Sequence, residues 1–237
     1  MNSFLIFDDL PHSEMLLIPK GEFIMGYKES NYEDEQYEHK VKIKNPFWLG
    51  KYPVTQAVWK RVMNGENPSR FKGNDRPVEQ VSWDDVTNTF LPKLKAITGK
   101  KFILPSEAQW EYAAKGVDTT RQLYAGSNNL KEVGWYDDNS FGDIMPVGLK
   151  APNGFGLHDM SGNVWEWCED DWHESYDNPR KPLDGSPWID KPRASSRVLR
   201  GGSCFNNADY CRVSYRGHFS PDLRISVKEQ KKIHIIL

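Results

Sequence analysis

Ala151-Pro-Asn-Gly-Phe-Gly-Leu-His-Asp-Met-Ser-Gly-Asn-Val-Trp-Glu-Trp167 packs two Gly-rich turns, two carboxylates and two tryptophans into one short stretch. Turn formers beside large rings describe an irregular loop pinned by buried aromatics. A hard cation such as Ca2+ takes oxygens from carboxylates and backbone carbonyls held in such a loop. Asp159 and Glu166, with the carbonyls of Gly162 and Val164 between them, could supply that shell. The plainer alternative is that Asp159 caps a turn and Glu166 pairs with an arginine in a buried network.

The rest of the chain has the same character. Nine Trp, 18 Gly and 15 Pro in 237 residues, with 13% aromatics, describe loops held by rings and exclude a disordered chain. The length fits one α+β domain over residues 1–237, since no linker-like segment breaks it. A net charge of −2 argues against a general electrostatic grip on nucleic acid or anionic membrane, leaving only a local patch open. Mean hydropathy of −0.70 and the lack of a long apolar run exclude a transmembrane span. Phe4-Leu-Ile-Phe7 is too short for a signal-peptide core, so the compartment stays open: cytoplasmic, or exported after loss of a leader.

Outward from the central loop, the elements come in short pieces. Residues 15–26 read as two strands about a Pro19–Gly21 turn, Asn31–Lys44 as an exposed charged loop feeding a strand, and Phe47–Val54 as another strand. Thr55 caps a helix from Gln56 to Met63. Ser82 caps a second helix toward Leu94 and Ile97, interrupted near Pro92. Phe102–Pro105 reads as a brief strand and Glu107–Ala114 as a third helix; no convincing helix follows Gly116. The acidic run Glu33-Asp-Glu35 and the Lys-rich tail Lys228–Lys232 read as solvated surface.

The cysteines carry the remaining chemistry. Cys204 and Cys211 flank polar residues, a spacing open to a disulfide, a soft metal or a thiol nucleophile; a buried, inert thiol is the plainer reading of each. With no His between them, a tetrahedral zinc site is short of ligands. The histidines show no metal-type spacing.

Several motifs in one order resemble the formylglycine-generating enzyme (sulfatase-modifying factor) family. They are Ile18-Pro-Lys-Gly-Glu-Phe-Ile-Met-Gly26, Tyr52-Pro-Val-Thr55, Pro77-Val-Glu-Gln-Val-Ser-Trp83, Leu104–Ala114, Asn153–Trp167 and Arg197-Val-Leu-Arg-Gly-Gly-Ser203. The resemblance spans roughly residues 15–225 and implies a C-type-lectin-like fold: a small antiparallel sheet, flanking helices and long Trp-pinned loops. It also implies a calcium site at the positions of Asp159, Gly162, Val164 and Glu166, which tips the first reading toward the cation; Asp159 stands where the enzyme has Asn. The family's copper enzyme uses two cysteines, and their positions are Asn206 and Cys211 here. An amide is a poor ligand for Cu(I), which selects soft thiolates. No copper, and no oxidation of a substrate cysteine, is therefore expected; an oxidase or its degenerate relative is the alternative.

A second likeness is to the variable proteins of diversity-generating retroelements, which share this fold. Those proteins end in Gly-Gly-Ser-Trp, Asn-rich positions, Cys-Arg and Pro-Asp-Asn-Arg, and mutation of adenines in Asn codons turns Asn into residues encoded by NNC. Here Phe205, Asp209, Tyr210, Gly217, His218, Phe219, Ser220, Leu223, Ile225, Ser226 and Val227 stand where Asn would, and every one is NNC-encodable. NNC cannot give Trp, Met, Lys, Gln or Glu. The 24 residues Cys204–Val227 contain none of them, against roughly six expected from overall composition. Two features depart from the pattern: Cys204 replaces the usual Trp, and Lys228–Leu237 replaces the usual Ile-Gly-Phe-Arg end. The resemblance implies a non-catalytic protein that displays a variable region, about 204–227, to a macromolecular or cell-surface ligand.

Overall fold

The computed structural model describes residues 2–117 and 122–224, together with the backbone of 233–234. Its first layer is an antiparallel sheet in the order β1-β2-β5, formed by β1 (Ser3–Leu5), β2 (Glu14–Ile18) and, after a separate hairpin, β5 (Phe47–Gly50). That hairpin pairs β3 (Gly21–Met25) with β4 (His39–Ile43) around a short helix, α1 (Glu33–Gln36). The two strands about Pro19 therefore exist but belong to different sheets, because Pro19-Lys20 redirects the chain instead of closing a hairpin.

Helix α2 (Gln56–Val62) starts at Thr55, whose side chain accepts the Val58 N–H. Ser82 and Asp85 form a reciprocal capping box for α3 (Trp83–Asp85). The expected break near Pro92 does not occur. A π-helical turn over Val86–Phe90 leads directly into α4 (Leu91–Thr98), and the wider turn accommodates a residue without an N–H. Phe102–Pro105 forms no strand, a second correction; it runs as an extended link into α5 (Glu107–Lys115), capped by Ser106 and Gln109. Two short helices, α6 (Leu130–Val133) and α7 (Asp137–Ser140), follow where the sequence pattern gave none. Each is a single turn, too short to show helical periodicity.

The second sheet, in the order β8-β7-β6-β9, contains β6 (Trp165–Asp171), β7 (Arg197–Arg200), β8 (Arg216–Phe219) and β9 (Ile233–His234). Its β6–β7 and β7–β8 pairs are antiparallel, and β9 lies parallel to β6. The architecture is thus α+β, with small antiparallel sheets, short helices and long loops. Two large apolar clusters, with two smaller ones beside them, hold it together. One gathers Ile18, Val41 and Leu157 around Trp110; the other gathers Val58, Trp59, Phe90 and Leu94 around Trp167. Both indoles are fully buried, the Trp pinning that the composition suggested. Helix α5 carries Trp110 and contacts β3, β6 and β7, so it joins the hairpin to the second sheet and places the loop before β6.

Candidate functional site

The loop that precedes β6 turns through left-handed backbone at Asp159, Gly162 and Asn163. Gly162 has no substitute there: a Cβ would lie 2.2 Å from the Trp135 carbonyl oxygen, and its N–H donates to the Gly201 carbonyl at 2.7 Å. This turn points two carboxylates into the core. Asp159 Oδ2 accepts the Gly148 N–H at 2.8 Å, and Oδ1 accepts from Asn163 Nδ2 at 3.3 Å. Glu166 Oε2 accepts the Trp110 indole N–H, while its Oε1 is buried with no hydrogen-bond partner.

Burial raises the Asp159 carboxyl to about 6, and burial together with the neighbouring Asp159 charge raises the Glu166 carboxyl to about 8. The arginine pairing considered for Glu166 is not what forms. Cross-strand register sets Glu166 opposite Arg200, yet the Arg200 guanidinium turns to Glu111 and to the carbonyls of Val213, Ser214 and Tyr215. Two acids near enough to repel, one with an orphaned oxygen, form a donor set that suits a hard cation. Of the backbone oxygens expected to join them, that of Gly162 already accepts the Val164 N–H at 2.7 Å.

The thiols are arranged differently. All three cysteines are free and buried. Cys204 packs with Ile144 and Val164, whereas Cys211 packs with Leu130, Val133 and Tyr136. Burial, with Asp137 nearby, pushes the Cys211 thiol far above its usual range. Asn206 is held by its neighbour: the Ser203 hydroxyl donates to its Oδ1 at 2.7 Å. An amide engaged in that way, at one of the two positions where thiolates are needed, does not fit Cu(I).

The expected variable positions fall into two kinds. Asp209, His218 and Ser220 are exposed; Phe205, Tyr210, Gly217, Phe219 and Leu223 are half-buried. Ile225, Ser226, Val227 and the Lys228–Lys232 tail lie outside the described residues. Tyr210 packs at 4.7 Å on Tyr215, and His218 stacks at 4.3 Å on Trp172. Asp209 accepts from Tyr32 at 2.9 Å and from Arg212 at 2.7 Å. Gly217 has little room, since an added Cβ would meet the Trp165 ring at 3.1 Å.

Between these positions stand the anchors. Ser203 and Arg212 are buried, the Pro221 carbonyl accepts the Asp84 N–H at 3.0 Å, and Asp222 accepts from Ser220. Arg224 grips both oxygens of Asp85. Arg212 holds Glu35, which corrects one expectation: the third acid of the Glu33-Asp-Glu35 run is fully buried instead of solvated. A lone buried carboxylate is costly, so a cation drawn from the distant end of the chain meets it.

Sequence reasoning missed the buried ionic cluster beneath this surface. Arg200 and Arg216 are register partners on β7 and β8. Their guanidinium groups meet Glu111 and Glu107, one helical turn apart on α5, and Tyr176 donates to Glu107. The signal was present as acids four residues apart flanking Trp110 on an apolar helix face.

Comparison with known proteins follows the same lines. The model of the sulfatase-modifying factor enzyme 1-like domain matches residues 7–227. The chaperone protein LppX of Paenibacillus barcinonensis is 31% identical over 250 residues, covering 82% of this chain and 84% of that protein. The formylglycine-generating enzyme of Thermomonospora curvata is 33% identical over 204 residues, covering 75% of this chain; the match spans only 60% of that enzyme. Variable protein 1 of Treponema denticola superposes with a TM-score of 0.82 at 28% identity, covering 99% of this chain and 97% of that one.

Proposed function

The chain belongs to the sulfatase-modifying factor enzyme 1-like family, and from that premise we propose that it is a non-catalytic binding protein. It presents the surface of residues 205–227, diversified by a retroelement, to a macromolecular or cell-surface ligand. The observation that carries this reading is Asn206, an amide tied to Ser203 at a position where the family's copper chemistry needs a thiolate. The likeness to a variable protein over nearly its whole length supports it. Exposed Asp209, His218 and Ser220, with the half-buried rings of Tyr210 and Phe219, offer the mixture of rigid aromatic and adaptable polar groups that binding loops favour. The loop of Asp159, Gly162 and Val164, with Glu166 at the start of β6, binds Ca2+ and stiffens the scaffold beneath.

The competing reading, a copper-dependent oxidase, has Cys211 in its favour. Anaerobic Cu(I) titration, followed by oxygen uptake with a cysteine-containing peptide, separates the two. No tight Cu(I) binding and no oxygen uptake are expected. Tight binding abolished by Cys211→Ser would establish the oxidase instead. A near-identical, adenine-rich copy of the codons for 204–227 beside a reverse-transcriptase gene is the expected genetic signature.

A further inference from the structure

Residues 86–106 contain Lys93, Lys95, Lys100 and Lys101 and not one Asp or Glu, in a protein whose overall charge is −2. The stretch ends α4 and passes beside the β1-β2-β5 sheet. There an open cleft of about 490 Å3 is lined by Phe4, Trp48, Phe102 and Ile103 together with Lys100 and Lys101, and by no acid. Strand register sets Phe4, Leu17 and Trp48 on one face of the sheet, and the Phe4 and Trp48 rings meet edge-to-face at 4.9 Å. Lys100 Nζ sits 4.1 Å from the Phe4 ring centroid. Much of this apolar surface is left in water: Trp48 is 41% exposed and Ile103 59%.

We propose that this face docks the protein on an anionic lipid bilayer. Trp48 and Ile103 enter the headgroup boundary, and Lys100 and Lys101 lie among the anionic headgroups. An indole with one apolar and one polar edge suits that boundary, and lysines place their stems along apolar surface while the ammonium stays in the polar layer. An acid-free cationic rim selects an anionic partner, and exposed Trp and Ile want a medium less polar than water. Nothing in this surface involves the variable segment, so it stands or falls apart from the proposed binding role.

Co-sedimentation of the full chain with large unilamellar vesicles tests it, using phosphatidylcholine alone and phosphatidylcholine with phosphatidylserine. Wild type should pellet with the anionic vesicles and at least about tenfold less with the zwitterionic ones. Lys100→Glu with Lys101→Glu, and separately Ile103→Asp, should each weaken the anionic binding by about tenfold while leaving the melting temperature near that of wild type. Failure of wild type to pellet, equal binding to both vesicle types, or unweakened binding by both variants overturns the proposal. An acidic protein partner would show as the first of these outcomes.

Discussion

Arg212 forks onto Glu35 at 2.7 and 3.1 Å, tying the start of the C-terminal segment to helix α1 across 177 residues of chain. Both side chains are buried, and Arg212 also receives the faces of Tyr27, Tyr32 and Tyr215 within 6 Å. Removing the acid leaves a buried guanidinium whose remaining ion-pair partner among the described residues is the exposed Asp209. Glu35→Gln should therefore cost about 3–5 kcal/mol in urea denaturation. Glu33→Gln, on the exposed side of the same run, should fall within about 0.5 kcal/mol of wild type. Equal losses for the two would show that the pair does not hold the segment.

The proposed cation site should carry a pH signature. Burial sets Asp159 at about 6 and Glu166 at about 8, above the value near 4 that carboxyls have in an unfolded chain. Between those limits the folded state binds more protons, so its stability falls as pH rises. Bound Ca2+ would replace the missing protons. The gain in melting temperature on adding Ca2+ to chelator-treated protein should thus be larger at about pH 8 than at about pH 5. Glu166→Gln should remove most of that gain, and a chelator-insensitive wild type at both pH values would count against the site.

Tolerance along the segment should be graded. His218 is exposed and stacks on Trp172 at the surface, so His218→Ala should cost under about 1 kcal/mol. Tyr210 and Phe219 pack partly against the second core cluster. Their Ala variants should cost about 1–2 kcal/mol, below the loss of about 3–5 for a fully buried ring. Chemical denaturation of the three variants checks the order; core-sized losses at both rings would sink the variable-surface reading.

Gly217 should be the most restricted of the expected variable positions. An alanine Cβ there would press on Trp165 at 3.1 Å, with Leu199 at 3.6 Å behind it. Gly217→Ala should cost about 1 kcal/mol and Gly217→Phe considerably more. A library randomised at 217 and 218 and selected for folding should therefore keep small residues at 217 and accept nearly any at 218.

Arg224 is gentler than its place among the anchors suggests. Its fork to Asp85 is good, yet the side chain is 63% exposed. Arg224→Ala should lose only about 0.2–1 kcal/mol, less in high salt, as thermal melts at two ionic strengths will show.

Much of this was legible in the chain. Thr55, Ser82 and Ser106 announced their helices because a hydroxyl that caps is a local signal. The Gly-rich turn between Asp159 and Glu166 was legible because its residues are contiguous in the chain. What stayed hidden depends on distant partners. Nothing near Glu35 in sequence tells that Arg212 will arrive, and Arg200 reveals no preference between Glu166 opposite it and Glu111 on the helix. The π turn before Pro92 was hidden for another reason: it relieves locally what the pattern reads as a break.

The pairing of Arg200 with Arg216 across β7 and β8 also bears on folding fidelity. A strand whose residues change freely loses the hydrophobic pattern that normally fixes its alignment. Here a slip of one position would swing Arg216 to the opposite side of the sheet and bring Tyr215 or Gly217 against Glu107, stranding a buried carboxylate. The wrong alignment is penalised by charge, whatever occupies 218–220. If those sites vary as proposed, their sequence novelty is thereby uncoupled from the risk of misfolding.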